Sequence, residues 1–232
     1  MKALWKFITS FFLDLFGKTT HEEVGGEKEF AAEPEKEEII REKEGMKITD
    51  NLLTPESKNR PGKKIVDVRA IAIHWVANPG STPTGNRNWF EGGSVFGSTQ
   101  YIVGIDGSVM RCIPDDEIAY HLGSSQPDPE SGKVYTNEAR KVFGEDVCAK
   151  GMVNYYAIGI ELCHPDWTGK PSDATMASLK ELVLELKAKF PKAVLITHRR
   201  TVGWKECPQW FCRNPDEWNK FCQSVGMAYE RA

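Results

Sequence analysis

An α/β fold with a central mixed β-sheet flanked by helices is what this 232-residue sequence predicts, and three observations predict it. Dense β-branched runs recur at residues 66–76, 157–163 and 194–197. One long stretch, 173–190, carries apolar residues at helical spacing. Strand-like and helix-like segments also alternate along the chain rather than separating into blocks. With 40% hydrophobic and 27% charged residues, 20 Gly and 13 Pro, the composition is that of a globular domain and excludes a collagen-like or wholly disordered chain.

The first eighteen residues, MKALWKFITSFFLDLFGK, place Leu4, Ile8, Phe11, Phe12, Leu15 and Phe16 on one helical face and Lys2, Lys6, Ser10 and Asp14 on the other. That pattern is an amphipathic helix over 1–18, either lying on a membrane surface or packing on a protein. Its apolar run is interrupted by Lys6, Thr9, Ser10 and Asp14, with no small-residue cleavage site after it, so no cleavable signal peptide is expected. It is also too short to span a bilayer. Residues 19–45 hold ten Glu against four Lys or Arg and few apolar side chains, which predicts an acidic flexible linker over 19–60. A folded domain is expected over 61–226.

Within that domain 66–76 reads as a buried strand. Residues 100–105 and 109–113 read as a hairpin about Asp106-Gly107, 157–163 as a second buried strand, and 194–197 as a short one. Over 173–190, Met176, Leu179, Leu182, Val183, Leu186 and Phe190 make one face of a helix, with Asp173 able to cap its start and Pro191 beyond its end. Residues 215–222 form a closing helix, and 78–97 and 123–154 are read as loops. The six cysteines make no CxxC pair and are too sparse for a disulfide scaffold, so they are expected to be reduced.

Chemistry is indicated by polar residues at the ends of these strands. His74, in IAIHWVANP, and His198, in VLITHRRTVGWKECPQWF, each end an apolar run, and Cys207 follows nine residues after His198. Two imidazoles and a thiolate suit zinc, which keeps three protein ligands in many catalytic sites. A hydrogen-bonded structural role explains any one of them equally well. Glu161 lies on the strand face opposite Ile158, Ile160 and Leu162, together with Gly159. It is explained either by an ion pair with Arg199, Arg200 or Lys205, or as a general base beside a metal. Lys205 is placed to stabilise an oxyanion, or is an ordinary surface lysine.

Four segments in order, IAIHWVANP, STQYIVGIDGSVMRCIPDDEIAYHLGS, YYAIGIELCHP and ITHRRTVGWKECPQWF, resemble the type 2 N-acetylmuramoyl-L-alanine amidases, which share their fold with peptidoglycan-recognition proteins. The resemblance runs from about residue 50 to 221. It implies a zinc amidase domain over 61–226, with Zn2+ on His74, His198 and Cys207. Glu161 is implied as the base and Lys205 as the oxyanion stabiliser. His121 would line the substrate groove, and Asn78 would make a weaker substrate contact. Some relatives carry a Tyr where this chain has Thr99, and Tyr101 is not given that role.

The implied reaction is hydrolysis of the bond between N-acetylmuramic acid and L-alanine of the peptidoglycan stem peptide, in a phage endolysin or a bacterial autolysin acting at the cell wall. A non-catalytic peptidoglycan-binding module of the same fold is the alternative, against which Cys207 counts. The expected partners are peptidoglycan and, through residues 1–18, a membrane surface. A formal net charge of −3 and the lack of a basic stripe give no reason to expect nucleic acid.

Overall fold

The computed structural model describes residues 46–93 and 96–227. The helix expected over 1–18, and the linker as far as residue 45, lie outside the described residues. Six strands form one mixed sheet: β1 (Ile48–Asp50), β2 (Ala70–Trp75), β3 (Tyr101–Val103), β4 (Val109–Arg111), β5 (Ala157–Leu162) and β6 (Val194–Thr197). Their spatial order is β1-β4-β3-β5-β2-β6. Only the β3–β4 hairpin is antiparallel; the other neighbours run parallel.

Side-chain alternation divides the sheet into two unlike faces. Ile71 and Ile73 of β2, Ile158, Ile160 and Leu162 of β5, and Leu195 of β6 enter one core cluster. They pack there against Leu179, Leu182, Val183 and Leu186 of α4 (Asp173–Lys189) and against Phe211, Trp218 and Phe221. Those three aromatics come from α6 (Gln209–Arg213) and α7 (Pro215–Ser224). The other face carries Ala70, Ala72 and Ala157 in a second cluster with Tyr135, Ala139 and Phe143. Ala139 and Phe143 belong to α2 (Asn137–Phe143), and α3 (Glu145–Ala149) adds Cys148.

Several elements differ from the sequence expectation. β2 begins at Ala70 rather than at 66: Val66 is 63% exposed, and residues before Arg69 are held by backbone bonds from Val66 and Arg69 to Tyr155 and Tyr156. β1 falls inside the segment assigned to the 19–60 linker. It pairs with β4 through Ile48↔Val109, and Leu53 is fully buried, so the fold extends N-terminal to residue 61. The segment 78–97, read as a loop, contains α1 (Pro83–Glu91), capped by the Thr82 side chain; likewise 123–154 contains α2 and α3. The cap of α4 is Ser172, whose hydroxyl accepts from Thr175 N, and Asp173 instead puts an acid in the first turn. All six cysteines are free thiols, as expected.

Candidate functional site

The parallel strands β2, β5 and β6 all end at one edge of the sheet, and the polar residues of the alanine-rich face stand at those ends. His74 is the fifth residue of β2 and Glu161 the fifth of β5, and the two are paired in register. His198 follows β6 directly and opens α5 (His198–Val202), where Thr197 caps by accepting from Arg200 N. Cys207 lies on the loop after α5. The backbone N–H of Arg199 donates to the Cys207 carbonyl at 2.9 Å, which ties the thiol's loop to the residue beside His198.

The result is a cluster: His74, His198 and Cys207 are all buried, and their ligand atoms lie within 4.8 Å of one another. Among the described residues this is the one group of its kind. Cys207 Sγ is 3.5 Å from His74 Nδ1, which matches the edge of about 3.5 Å between nitrogen and sulfur on a tetrahedral zinc with ordinary bond lengths. His198 Nε2 lies 3.1 Å from the Gly123 carbonyl. A carbonyl only accepts, so the His198 proton sits on Nε2 and Nδ1 keeps its lone pair. His74 Nε2 is 3.1 Å from His121 Nδ1; with the His74 proton donated there, its Nδ1 presents a lone pair beside the sulfur.

Electrostatics agree with this donor set. Burial, then the neighbouring His198, His121 and Lys205, holds His74 well below the usual imidazole range. Burial pushes His198 down to about 3 and His121 to about 4. All three are therefore neutral at pH 7, the state in which imidazole binds a metal. Burial drives the Cys207 thiol upward, and the nearby Glu161 carboxylate adds to that, while the Trp75 backbone N–H favours the thiolate.

Glu161 is partly exposed, yet its Oε2 is buried without a hydrogen-bond partner. Burial pushes its carboxyl up to about 8, and the Lys205 ammonium pulls against that. Neither arginine named for an ion pair engages it. Arg200 pairs with Glu138 at 2.8 Å, and Arg199 is exposed in the chain beyond His198. The Lys205 ammonium disfavours protonation of His74, Glu161, His198 and Cys207 alike, and its Nζ lies 5.8 Å from the Trp204 ring centroid.

The two residues expected to contact substrate lie as follows. His121 is 6% exposed, with its Nδ1 3.1 Å from His74 Nε2. Asn78 is exposed in the turn after β2, its carbonyl accepting from Ser81 N and Oγ; no contact joins it to the cluster among the described residues. Tyr101 belongs to the opposite core cluster, with its hydroxyl donating to Asp115. The site also uses residues not singled out from the sequence. Gly159 has no side chain where an added Cβ would stand 2.7 Å from His121 Cγ, and Gln100 bridges Gly159 N and the Glu117 carbonyl. The alternation that puts Gly159 in line with Glu161 was the available signal for the first; nothing local marks the second.

Comparison with known proteins adds to this geometry. Residues 64–210 match the Amidase_2 family, described as N-acetylmuramoyl-L-alanine amidase. The chain is 28% identical over 185 residues to N-acetylmuramoyl-L-alanine amidase BlyA of Bacillus subtilis (strain 168), covering 78% of this chain and 47% of that one. It is 27% identical, with the same coverages, to a probable N-acetylmuramoyl-L-alanine amidase of Bacillus licheniformis. The chain thus spans about half the length of the curated relatives it matches. Among solved structures the fold is similar to a mutant endolysin from Bacillus subtilis, with a TM-score of 0.57 at 20% identity, covering 78% of this chain and 99% of that one. It is similar also to PlyL, with a TM-score of 0.58 at 16% identity, covering 81% and 100%.

Proposed function

The chain belongs to the N-acetylmuramoyl-L-alanine amidase family, and on that premise we propose that it cleaves the amide between N-acetylmuramic acid and the L-alanine of a peptidoglycan stem peptide, with Zn2+ held by His74, His198 and Cys207. The observation that carries this is the convergence of two neutral imidazoles and a thiol within 4.8 Å, with an unpartnered carboxylate oxygen on the adjoining strand. A zinc ion in such a site supplies Lewis acidity and makes a nucleophile available at neutral pH by acidifying water.

The chain's own residues supply the rest. Glu161 Oε2 accepts the proton of the attacking water and returns it to the departing alanine nitrogen. A carboxylate that takes the proton in one step can give it back in the next, and the Lys205 ammonium favours the ionised form that the first step needs. The Lys205 ammonium meets the negative charge that develops on the carbonyl oxygen. His121 accepts from His74 Nε2 and thereby fixes that ring's tautomer and orientation. Residues 1–18 are proposed as a membrane-surface element on their sequence pattern; their deletion is expected to abolish sedimentation with anionic vesicles, and unchanged sedimentation would remove that part.

The deciding experiment incubates zinc-loaded and chelated protein with purified peptidoglycan and assays new alanine N-termini beside reducing sugar ends. Zinc-dependent amines without reducing ends are expected. Wall binding with neither product would leave a recognition module instead.

A further inference from the structure

Strand pairing links the candidate site to a cavity on the same face of the sheet. His74 stands opposite Glu161, Glu161 opposite Ile102, Ile102 opposite Met110 and Met110 opposite Thr49. These residues form one row across a single face. At the far end of the row, Met110 and Thr49 line a cavity of about 510 Å³. Two strand spacings, about 10 Å, separate the backbones of Glu161 and Met110. Gly80 and Ser81, which also line the cavity, are tied to the chain just beyond Glu161. Gly80 N donates to the His164 carbonyl at 2.9 Å, and Asn86 Nδ2 donates to Ser81 Oγ at 2.9 Å while lying 3.5 Å from Cys163 Sγ.

Among the described residues that line the cavity, Asp106 carries the only formal charge. Gly104 makes room for it: a Cβ there would stand 2.5 Å from Asp106 Oδ1. Gly104 follows Ile102 by two residues, so that space is on the face Glu161 occupies. The N–H and hydroxyl of Ser108 donate to Asp106 Oδ1 at 3.0 and 2.6 Å. They hold the carboxyl below the usual carboxylate range, and no cation contributes. Asp106 is therefore ionised at pH 7, exposed, and without a cationic partner among the described residues. Its Oδ2 is left to a ligand.

An ionised carboxylate in company with the hydroxyls of Thr49, Thr82 and Thr84 and the apolar Ile105 and Met110 suits an ammonium on an aliphatic stem. An anion would be repelled by Asp106 and would gain little from the start of α1, where Pro83 has no N–H and Gly85 N is taken by Thr82 Oγ. A guanidinium is best held by both carboxylate oxygens, and Oδ1 already serves Ser108. A calcium ion takes about six to eight oxygen ligands, several of them carboxylates, and Asp106 stands alone.

We infer that this cavity binds the side-chain ammonium of a diamino residue in the stem peptide, with Asp106 as its counter-ion, and so helps set which peptides are cut. This rests on the amidase function proposed above. An extended peptide advances at most ~3.5 Å per residue, so about three residues beyond the scissile amide cover the distance from Glu161 to the cavity.

N-acetylmuramoyl tripeptides that begin with L-alanine and carry lysine or norleucine at the third position test this, since norleucine keeps the stem and drops the charge. With the full zinc-loaded chain, kcat/KM for the lysine form is expected to exceed that for the norleucine form about three- to fivefold, the worth of a water-exposed ion pair. The margin should shrink in about 0.5 M salt. Asp106→Asn, which keeps an oxygen for Ser108, should bring the ratio close to one. Equal cleavage of both forms by the unaltered chain, or a ratio that survives in Asp106→Asn, overturns the assignment. Calorimetric titration with the sugar-free lysine and norleucine peptides makes the same comparison without cleavage. Lysine-selective, Asp106-dependent binding with neither substrate cut would keep the cavity's role and remove the amidase function, whereas cleavage of both at one rate would do the reverse. Free 1-aminobutane bound as tightly as the lysine peptide would assign the cavity to free amines and overturn the stem-peptide reading.

Discussion

Under α4, the sheet offers Ile71, Ile73, Ile158, Ile160 and Leu162. On the reverse of the same two strands stand Ala70, Ala72, His74, Ala157, Gly159 and Glu161. One face is filled with large aliphatics that exclude water. The other is stripped to methyl groups and a hydrogen, which leaves depth for a second tier of side chains, as where His121 occupies the space over Gly159. The division of labour is physical: apolar burial, worth about 25 cal/mol per Å², is concentrated where no chemistry happens. Buried imidazoles and a carboxylate, which cost stability in the absence of partners, are gathered where a cation would repay them.

This contrast can be broken from either side. The largest effect is expected from Cys207→Ser, which should lose bound zinc, read by metal analysis, and with it nearly all amide cleavage. Glu161→Gln should keep the zinc but lower turnover by about 10²–10⁴-fold, the usual worth of a general base; full activity in that variant would remove Glu161 from the mechanism.

The metal-free domain should show the cost of the polar face in its pH dependence. His121 and His198 titrate at about 4 and 3 when folded, and His74 is also lowered, against 6.5 when free. Below 6.5 the unfolded chain binds these protons first, so stability is lost on acidification toward 3. Glu161 acts oppositely: held at about 8 against 4.5, it costs stability as pH rises through that window. Three imidazoles outweigh one carboxyl below 6.5, so among these groups stability peaks near pH 6.5. Thermal melts in chelator from pH 4 to 8 check this, and a flat profile would contradict it.

On the aliphatic face Leu182→Ala should cost about 2–5 kcal/mol in denaturant unfolding while the folded fraction keeps its activity. Gly159→Ala sharpens the comparison: its methyl group meets the His121 ring at 2.7 Å, so about 1–3 kcal/mol of overpacking should come with lost zinc affinity. An alanine there that left both unchanged would show that His121 is free to move.

What could be read from the sequence follows the same division. Strands β2, β5 and β6 and helix α4 announce themselves because each buries a continuous apolar pattern. His74 and His198 stand out as polar residues that end those patterns and Glu161 as a carboxylate within one, whereas Cys207 lies on a loop nine residues beyond His198 and is marked by no pattern of its own. The short elements are different. β1 has three residues and is defined by pairing with β4 some sixty positions away, and α1 buries only Pro83, Asn86 and Phe90, too few to mark a period. The cap on α4 went to Ser172 over its neighbour Asp173 because its backbone, not its identity alone, is extended there. The His121–Gly159 contact joins distant segments, and no local pattern encodes it.

The in-register pairing of His74 with Glu161 makes assembly and chemistry a single problem. Their separation is set by the spacing of adjacent strands and the pleat, not by a loop that can adjust. A slip of β5 by one residue would present Ile160 or Leu162 beside His74 in place of the carboxylate. Such a chain would bury grease against the His74 imidazole and a carboxylate in the aliphatic core. It would therefore fail as a fold before it could persist as an inactive enzyme, so the strand registry proofreads the site.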